Sequence, residues 1–190
     1  MKIKSIEQIC KANKTIFLYS GRDGRQWISN GEAYYPLTKL PQLDEDIVFT
    51  IFDISEEKRE KYIFDVGELP RTLCFSDEDV EGKEKLLGKT LGRIIENGKT
   101  LVAFISSHGA IYINSKYLKP FEGSSGLMLT ERTDTSGRPY IAIKDGMFLE
   151  GIILPEDIID GVDGEFLEKI AELYEATKIA AEKKRARGGL

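Results

Sequence analysis

Between Thr100 and Pro155 the chain carries five short apolar, β-branched runs, each set off from the next by turn-forming residues. "LVAFISS" and "AIYINS" flank "HG", and "GLMLTERT", "RPYIAIKDG" and "MFLEGIILP" come after them, joined by "DTSG" and "KDG". Val, Ile, Phe and Tyr suit a pleated surface, and a glycine in a short connection supplies the backbone geometry of a hairpin. The spacing therefore predicts antiparallel strands. The same pattern opens the chain. "KTIFLYS", "QWISNG" and "AYYPL" read as strands, with "GRDGR" as a turn and Pro36 ending the third. "YIFDV" is a further candidate strand.

Helices are placed around these strands. Ser5 can cap a short helix over "IEQICKAN", with Ile6 and Ile9 on one side. Asp44 can cap "EDIVFTIF", and Ser55 starts a further helical turn without completing a capping box. In "GEFLEKIAELYEATKIAAEKKRARGGL", Phe166, Ile170, Leu173 and Thr177 fall at helical spacing, and Lys and Arg crowd the end, as the helix dipole favours. The fold class expected is α+β: antiparallel sheet of short strands, N-terminal and middle helices, and a long C-terminal amphipathic helix. Residues 1–190 read as one α+β unit. The charge- and glycine-rich stretch 76–99 is the place for a linker or mobile loop dividing two lobes. A short helix over "KEKLLGKTLGRII" is the other option there, weakened by Gly88 and Gly92.

Gly-Lys-Thr occurs twice within "GKTLGRIIENGKT" and evokes a phosphate-binding loop. That loop needs a glycine five positions before the Gly-Lys-Thr, so that backbone N–H groups wrap the phosphates. Those positions hold Lys83 and Arg93. The residues after Lys99-Thr100 are strand-like and not helical, so Asn97-Gly98 is expected to be a tight turn.

Other chemistry is sparse. His108 is the sole histidine, which excludes sites needing two. Ser106 and Ser107 adjoin it, but no G-x-S-x-G elbow exists. Cys10 and Cys74 form no C-x-x-C pair and are expected as reduced thiols. Asp77, Glu78, Asp79 and Glu81 lack calcium-loop spacing, so no metal is assigned. No catalytic residue and no cofactor is expected. No run approaches the length of about 18 apolar residues that a membrane helix needs, and "MKIKSIEQICKANK" is too polar for a signal peptide. The expected location is the cytoplasm, away from membranes.

Charge gives a stronger hint. Residues 1–43 hold seven Lys/Arg and three Asp/Glu, residues 44–86 hold six and fourteen, and residues 87–190 hold fourteen and fifteen. The acidic middle opposes a broad DNA-binding face there and permits a basic protein partner. Asp77, Glu78, Asp79 and Glu81 are the partner-binding candidates. A competing reading is a nucleic-acid surface, with Trp27, Tyr34 and Tyr35 as a stacking platform and Arg22 and Arg25 beside it. A small enzyme or ligand sponge is a third.

Three stretches taken together, "QWISNGEAYYPLTKLPQLDEDIVFTIFDI", "INSKYLKPF" and "LTERTDTSGRPYIAIKDGMFLEGIILP", resemble a group of uncharacterised proteins encoded in prophages of gut Firmicutes, mostly Clostridia. The similarity covers nearly the whole chain except the stretch after Ser76. It implies a non-enzymatic phage accessory protein acting in the bacterial host. Some small prophage proteins of this sort are counter-defence factors, including anti-CRISPR inhibitors that bind Cas9, so the partner implied is a Cas9–guide RNA complex.

Overall fold

The computed structural model describes residues 1–38, 40–78, 84–88, 90–107 and 109–156. The expected C-terminal helix with Phe166, Ile170 and Leu173, and also His108, Asp79 and Glu81, lie outside the described residues.

The described chain is mixed α+β, with most of its ordered residues in strands. Helix α1 (Ile3–Asn13) leads through Lys14, in left-handed conformation at φ 52°, straight into β1 (Thr15–Ser20). Strands β2 (Gln26–Ser29) and β3 (Ala33–Pro36) come next as an antiparallel meander, as the sequence predicts. Helix α2 (Glu45–Ile51) starts at Asp44, whose carboxylate accepts the Ile47 N–H at 2.9 Å. After the short α3 (Glu56–Arg59), β4 (Ile63–Glu68) returns parallel to β1. Two parallel strands need such a crossover, and α2 and α3 provide it.

Ser5 does not cap α1. The helix begins at Ile3, and Ser5 lies inside it. The Lys2 N–H bonds to the Pro120 carbonyl at 2.7 Å, so a tertiary contact fixes the helix start earlier than the local capping signal.

The short helix weighed for "KEKLLGKTLGRII" is not formed. Lys85–Leu86 makes β5 on β9 (Leu127–Thr133), and Thr90–Glu96 makes β6 on β7 (Lys99–Ser106). Gly92 lies in β6 and Gly88 between the two strands, both disfavour a helix interior, and the partner strands decide. The Asn97-Gly98 turn forms with φ 47° and 76°, the two positive values of a tight hairpin. It joins two antiparallel strands, so Lys99 opens a strand and its ammonium meets Glu156 at 2.6 Å.

Strands β10 (Pro139–Asp145) and β11 (Phe148–Ile153) complete the larger sheet, ordered β4-β1-β2-β3-β11-β10-β9-β5. The smaller sheet is β6-β7-β8, with β8 spanning Gly109–Asn114. β11 closes on β3 through Ile152↔Tyr34 and Ile153↔Ala33, which knits the two ends of the described chain into one sheet. One face of that sheet meets α1, α2, the 3₁₀ stretch Ser115–Phe121 and the β7–β8 hairpin, around Ile6, Ile16, Ile28, Phe49, Ile113, Tyr117 and Ile141. Each large apolar side chain fully buried there contributes about 1.5–3 kcal/mol. The opposite face holds Trp27, Tyr34, Tyr140, Ala142 and Ile152 under the segment 69–75. Gly151 is required where Phe121 crosses β11, since a Cβ would lie 2.7 Å from the ring.

Candidate functional site

The residues singled out by the two competing readings converge at one place. The turn after β1 carries Arg22, Asp23 and Arg25, and the segment after β4 carries Asp77. The Arg25 guanidinium reaches Asp77 at 2.7 Å and also pairs with Asp23. The Asp77 carboxylate further accepts the Leu149 N–H at 2.9 Å. Burial pushes that carboxyl up, but the Leu149 N–H and the Arg25 charge outweigh it and hold Asp77 below the usual carboxylate range. Asp77 is thus turned inward and its charge is matched, while Glu78 is exposed.

The stacking platform is enclosed. Trp27 is 1% exposed, Tyr34 5% and Tyr35 0%. Their rings pack on protein: Phe75 sits edge-on to Trp27 at 5.1 Å and to Tyr34 at 5.3 Å between centroids, and Tyr35 packs on Phe121 at 5.8 Å. No π-face of these three is open to a base in this arrangement. Aromatic residues in strands are enriched for packing alone, and here packing claims them. Arg22 remains exposed, on the rim of a cavity of about 690 Å³ with Asp23, Glu68, Arg71 and Phe75.

Segment 69–77 is held by Arg132, a residue that no motif in the sequence marks. Arg132 on β9 is buried, and its guanidinium donates to the carbonyls of Cys74 at 3.1 Å, Ser76 at 2.9 Å and Asp77 at 3.2 Å. The Glu84 carboxylate lies 3.4 Å from the guanidinium and also meets Lys144 at 3.1 Å. The Tyr140 hydroxyl accepts the Cys74 N–H at 2.9 Å. A guanidinium presents five donors in a fixed fork, so it can gather several carbonyls of an irregular segment. The available signal is the pair Glu131-Arg132 inside an otherwise strand-like run. Glu131, also buried, accepts the Ser107 N–H at 2.9 Å and the Ser107 hydroxyl at 2.5 Å, tying the β7–β8 hairpin to the larger sheet.

Of the thiols, Cys10 is buried and pushed up to about 12 by that burial, and both cysteines are free. Among the described residues no group of three or more His, Cys, Asp or Glu is gathered to hold a metal ion. No described helix is long and apolar enough to cross a membrane.

Exposed acidic side chains also lie on α2, α3 and β4. Residues 44–68 hold nine Asp/Glu against three Lys/Arg, a net charge of −6. All nine carboxylates are exposed: Asp44, Glu45, Asp46, Asp53, Glu56, Glu57, Glu60, Asp65 and Glu68. Basic partners for them are few among the described residues, with Arg59 on Asp46 at 2.5 Å and Arg71 at 3.7 Å from Glu68. The surface bordering the β4 edge of the larger sheet is therefore predominantly acidic, with Lys58 and Lys61 the exposed cations among its carboxylates. Such a surface attracts cations and repels phosphates. The chain matches no family model, no curated protein and no solved structure, so geometry carries the reading of this surface.

Proposed function

We propose that this is a non-enzymatic binding protein whose partner is a macromolecule with a basic surface, received on the acidic face of α2, α3 and β4. The observation that carries it is the exposure of all nine carboxylates of residues 44–68 while Asp77 is consumed by Arg25 and Leu149. Complementary charge speeds association and makes it salt-sensitive. The resemblance to prophage proteins gives the partner a concrete form, a Cas9-type nuclease, whose nucleic-acid channel is positively charged. The bacterial cytoplasm is the setting this reading requires. Nucleic acid as a direct partner finds less support, because Arg25 is paired and Trp27, Tyr34 and Tyr35 are enclosed.

The test is affinity purification from a Clostridial host, followed by association kinetics with the purified partner. Wild type should retain a basic protein or its complex with RNA. Changing Glu56, Glu57 and Glu60 to Gln and Asp65 to Asn should slow association about tenfold at low salt, while Glu78→Gln should change little. Retention of nucleic acid alone, or equal rates for all variants, overturns the proposal.

A further inference from the structure

β4 ends the larger sheet, and among the described residues it is hydrogen-bonded to β1 alone. The Ile63 N–H bonds to the Lys14 carbonyl at 2.9 Å, so Ile63, Asp65 and Gly67 direct their backbone groups at β1. By alternation, Phe64, Val66 and Glu68 direct theirs outward. Natural proteins blunt a free edge with charged side chains, lysine above all, or with proline, a bulge or a covering element. β4 has no lysine, proline or bulge across its six residues, and its register with β1 is unbroken. It also leaves apolar surface open on both sheet faces, with Ile63 63% exposed and Val66 59%. The only charges on it are carboxylates. Asp65 accepts the outward Val66 N–H at 3.0 Å, so an added strand pairs there by displacing that carboxylate, which a basic side chain opposite it then receives.

We infer that β4 is a docking edge, on which an extended basic segment of the partner adds to the sheet as a further strand. This rests on the acidic-face reading and specifies how the partner is held. Main-chain bonds give such additions their affinity, and alternate side chains give specificity. Asp65 and Glu68 lie three apart and so on opposite faces of the sheet. An antiparallel partner therefore places basic residues three apart, with an apolar residue opposite Val66 and another opposite Ile63. From Glu68 backwards the matching order is Lys, any, Val, Lys, any, Ile. A second copy of this chain fits poorly. Two antiparallel β4 strands would bring their Asp65 carboxylates opposite or diagonal to each other, and like charges across strands are destabilising.

The probe is a fluorescein-labelled peptide containing Lys-Thr-Val-Lys-Thr-Ile, measured by anisotropy against the whole chain at low salt. N-methylation at Val and the second Thr blocks the amides that would face β4, and should weaken binding at least tenfold. N-methylation at the first Thr and the second Lys blocks amides facing away, and should change binding by less than twofold. Val66→Pro removes an outward N–H without touching the β1 ladder, and should abolish binding with unchanged circular dichroism. Should Val66→Pro fail to fold, Asp65→Lys with Glu68→Lys serves in its place, with at least tenfold weaker binding expected. Equal, salt-sensitive binding of both methylated peptides overturns the strand addition and leaves the acidic-face reading standing. Absence of parent-peptide binding, or a dimer in sedimentation that Val66→Pro dissolves, also overturns it.

Discussion

Arg25 and Asp77 are fifty-two residues apart in sequence and 2.7 Å apart in the structure. The pair fastens the segment after β4 onto the turn after β1. Both side chains keep partial solvent contact, so the ion pair itself is worth about 0.2–1 kcal/mol. A double-mutant cycle of Arg25→Gln and Asp77→Asn in urea unfolding should return a coupling in that range. Asp77 is held below the usual carboxylate range, so its contribution is present above the unfolded-state pKa of about 3.9 and is lost as pH falls below that value. Coupling that does not diminish in acid would contradict the assignment.

Arg132 should matter far more. Its replacement by Met keeps most of the volume but removes the guanidinium donors from the carbonyls of Cys74, Ser76 and Asp77 and leaves Glu84 with Lys144 and the Thr130 hydroxyl. Breaking a buried charged network typically costs about 3–5 kcal/mol. Urea unfolding should show a loss of that order. Limited proteolysis should cut first within residues 69–78, because those carbonyl bonds hold that segment down. A variant with wild-type stability and no new cleavage would remove Arg132 from this role.

Much of the fold was legible because its signals are local. Asp44 lies before an apolar helix and caps it, Asn97-Gly98 makes a turn with two positive φ values, and the runs after Thr100 became β7 to β11. The parts that were not legible depend on residues far apart. β5 and β6 lie in a stretch whose composition suggests a loop, and they are strands because β9 and β7 offer partners. The candidate site divides in the same way. The acidity of the middle segment is a property of composition and could be counted. That Asp77 would turn inward to Arg25 and Leu149, while the carboxylates of α2, α3 and β4 stay exposed, needed the tertiary fold.

Gly151 tests the packing between β11 and the 3₁₀ stretch. A methyl group there meets the Phe121 ring at 2.7 Å and the Tyr34 carbonyl at 3.3 Å. Gly151→Ala should destabilise by about 1–3 kcal/mol through overpacking. Phe121→Leu in the same chain should recover part of that loss, since a shorter side chain vacates the space. Additive effects of the two changes in thermal unfolding would show that the contact is not the cause.

Asp134 gives the clearest pH signature. In the turn between β9 and β10 its carboxylate accepts the Ser136 hydroxyl at 2.6 Å, the Ser136 N–H at 2.8 Å and the Arg138 N–H at 2.9 Å. These three donors, led by the Ser136 hydroxyl, and the Arg138 guanidinium, whose Nε donates at 3.2 Å, favour the charged form and pull the pKa to about 2. A depressed carboxyl stabilises the fold fully above its unfolded-state value of about 3.9, and that stabilisation is lost as pH falls toward 2. Ser136→Ala removes the hydroxyl and keeps both backbone donors, so the Asp134 pKa should rise but stay below about 3.9. Carboxyl-detected NMR titration reads the site directly. A wild-type Asp134 titrating near the unfolded-state value, or a Ser136→Ala variant titrating with wild type, would show that the hydroxyl does not set this charge.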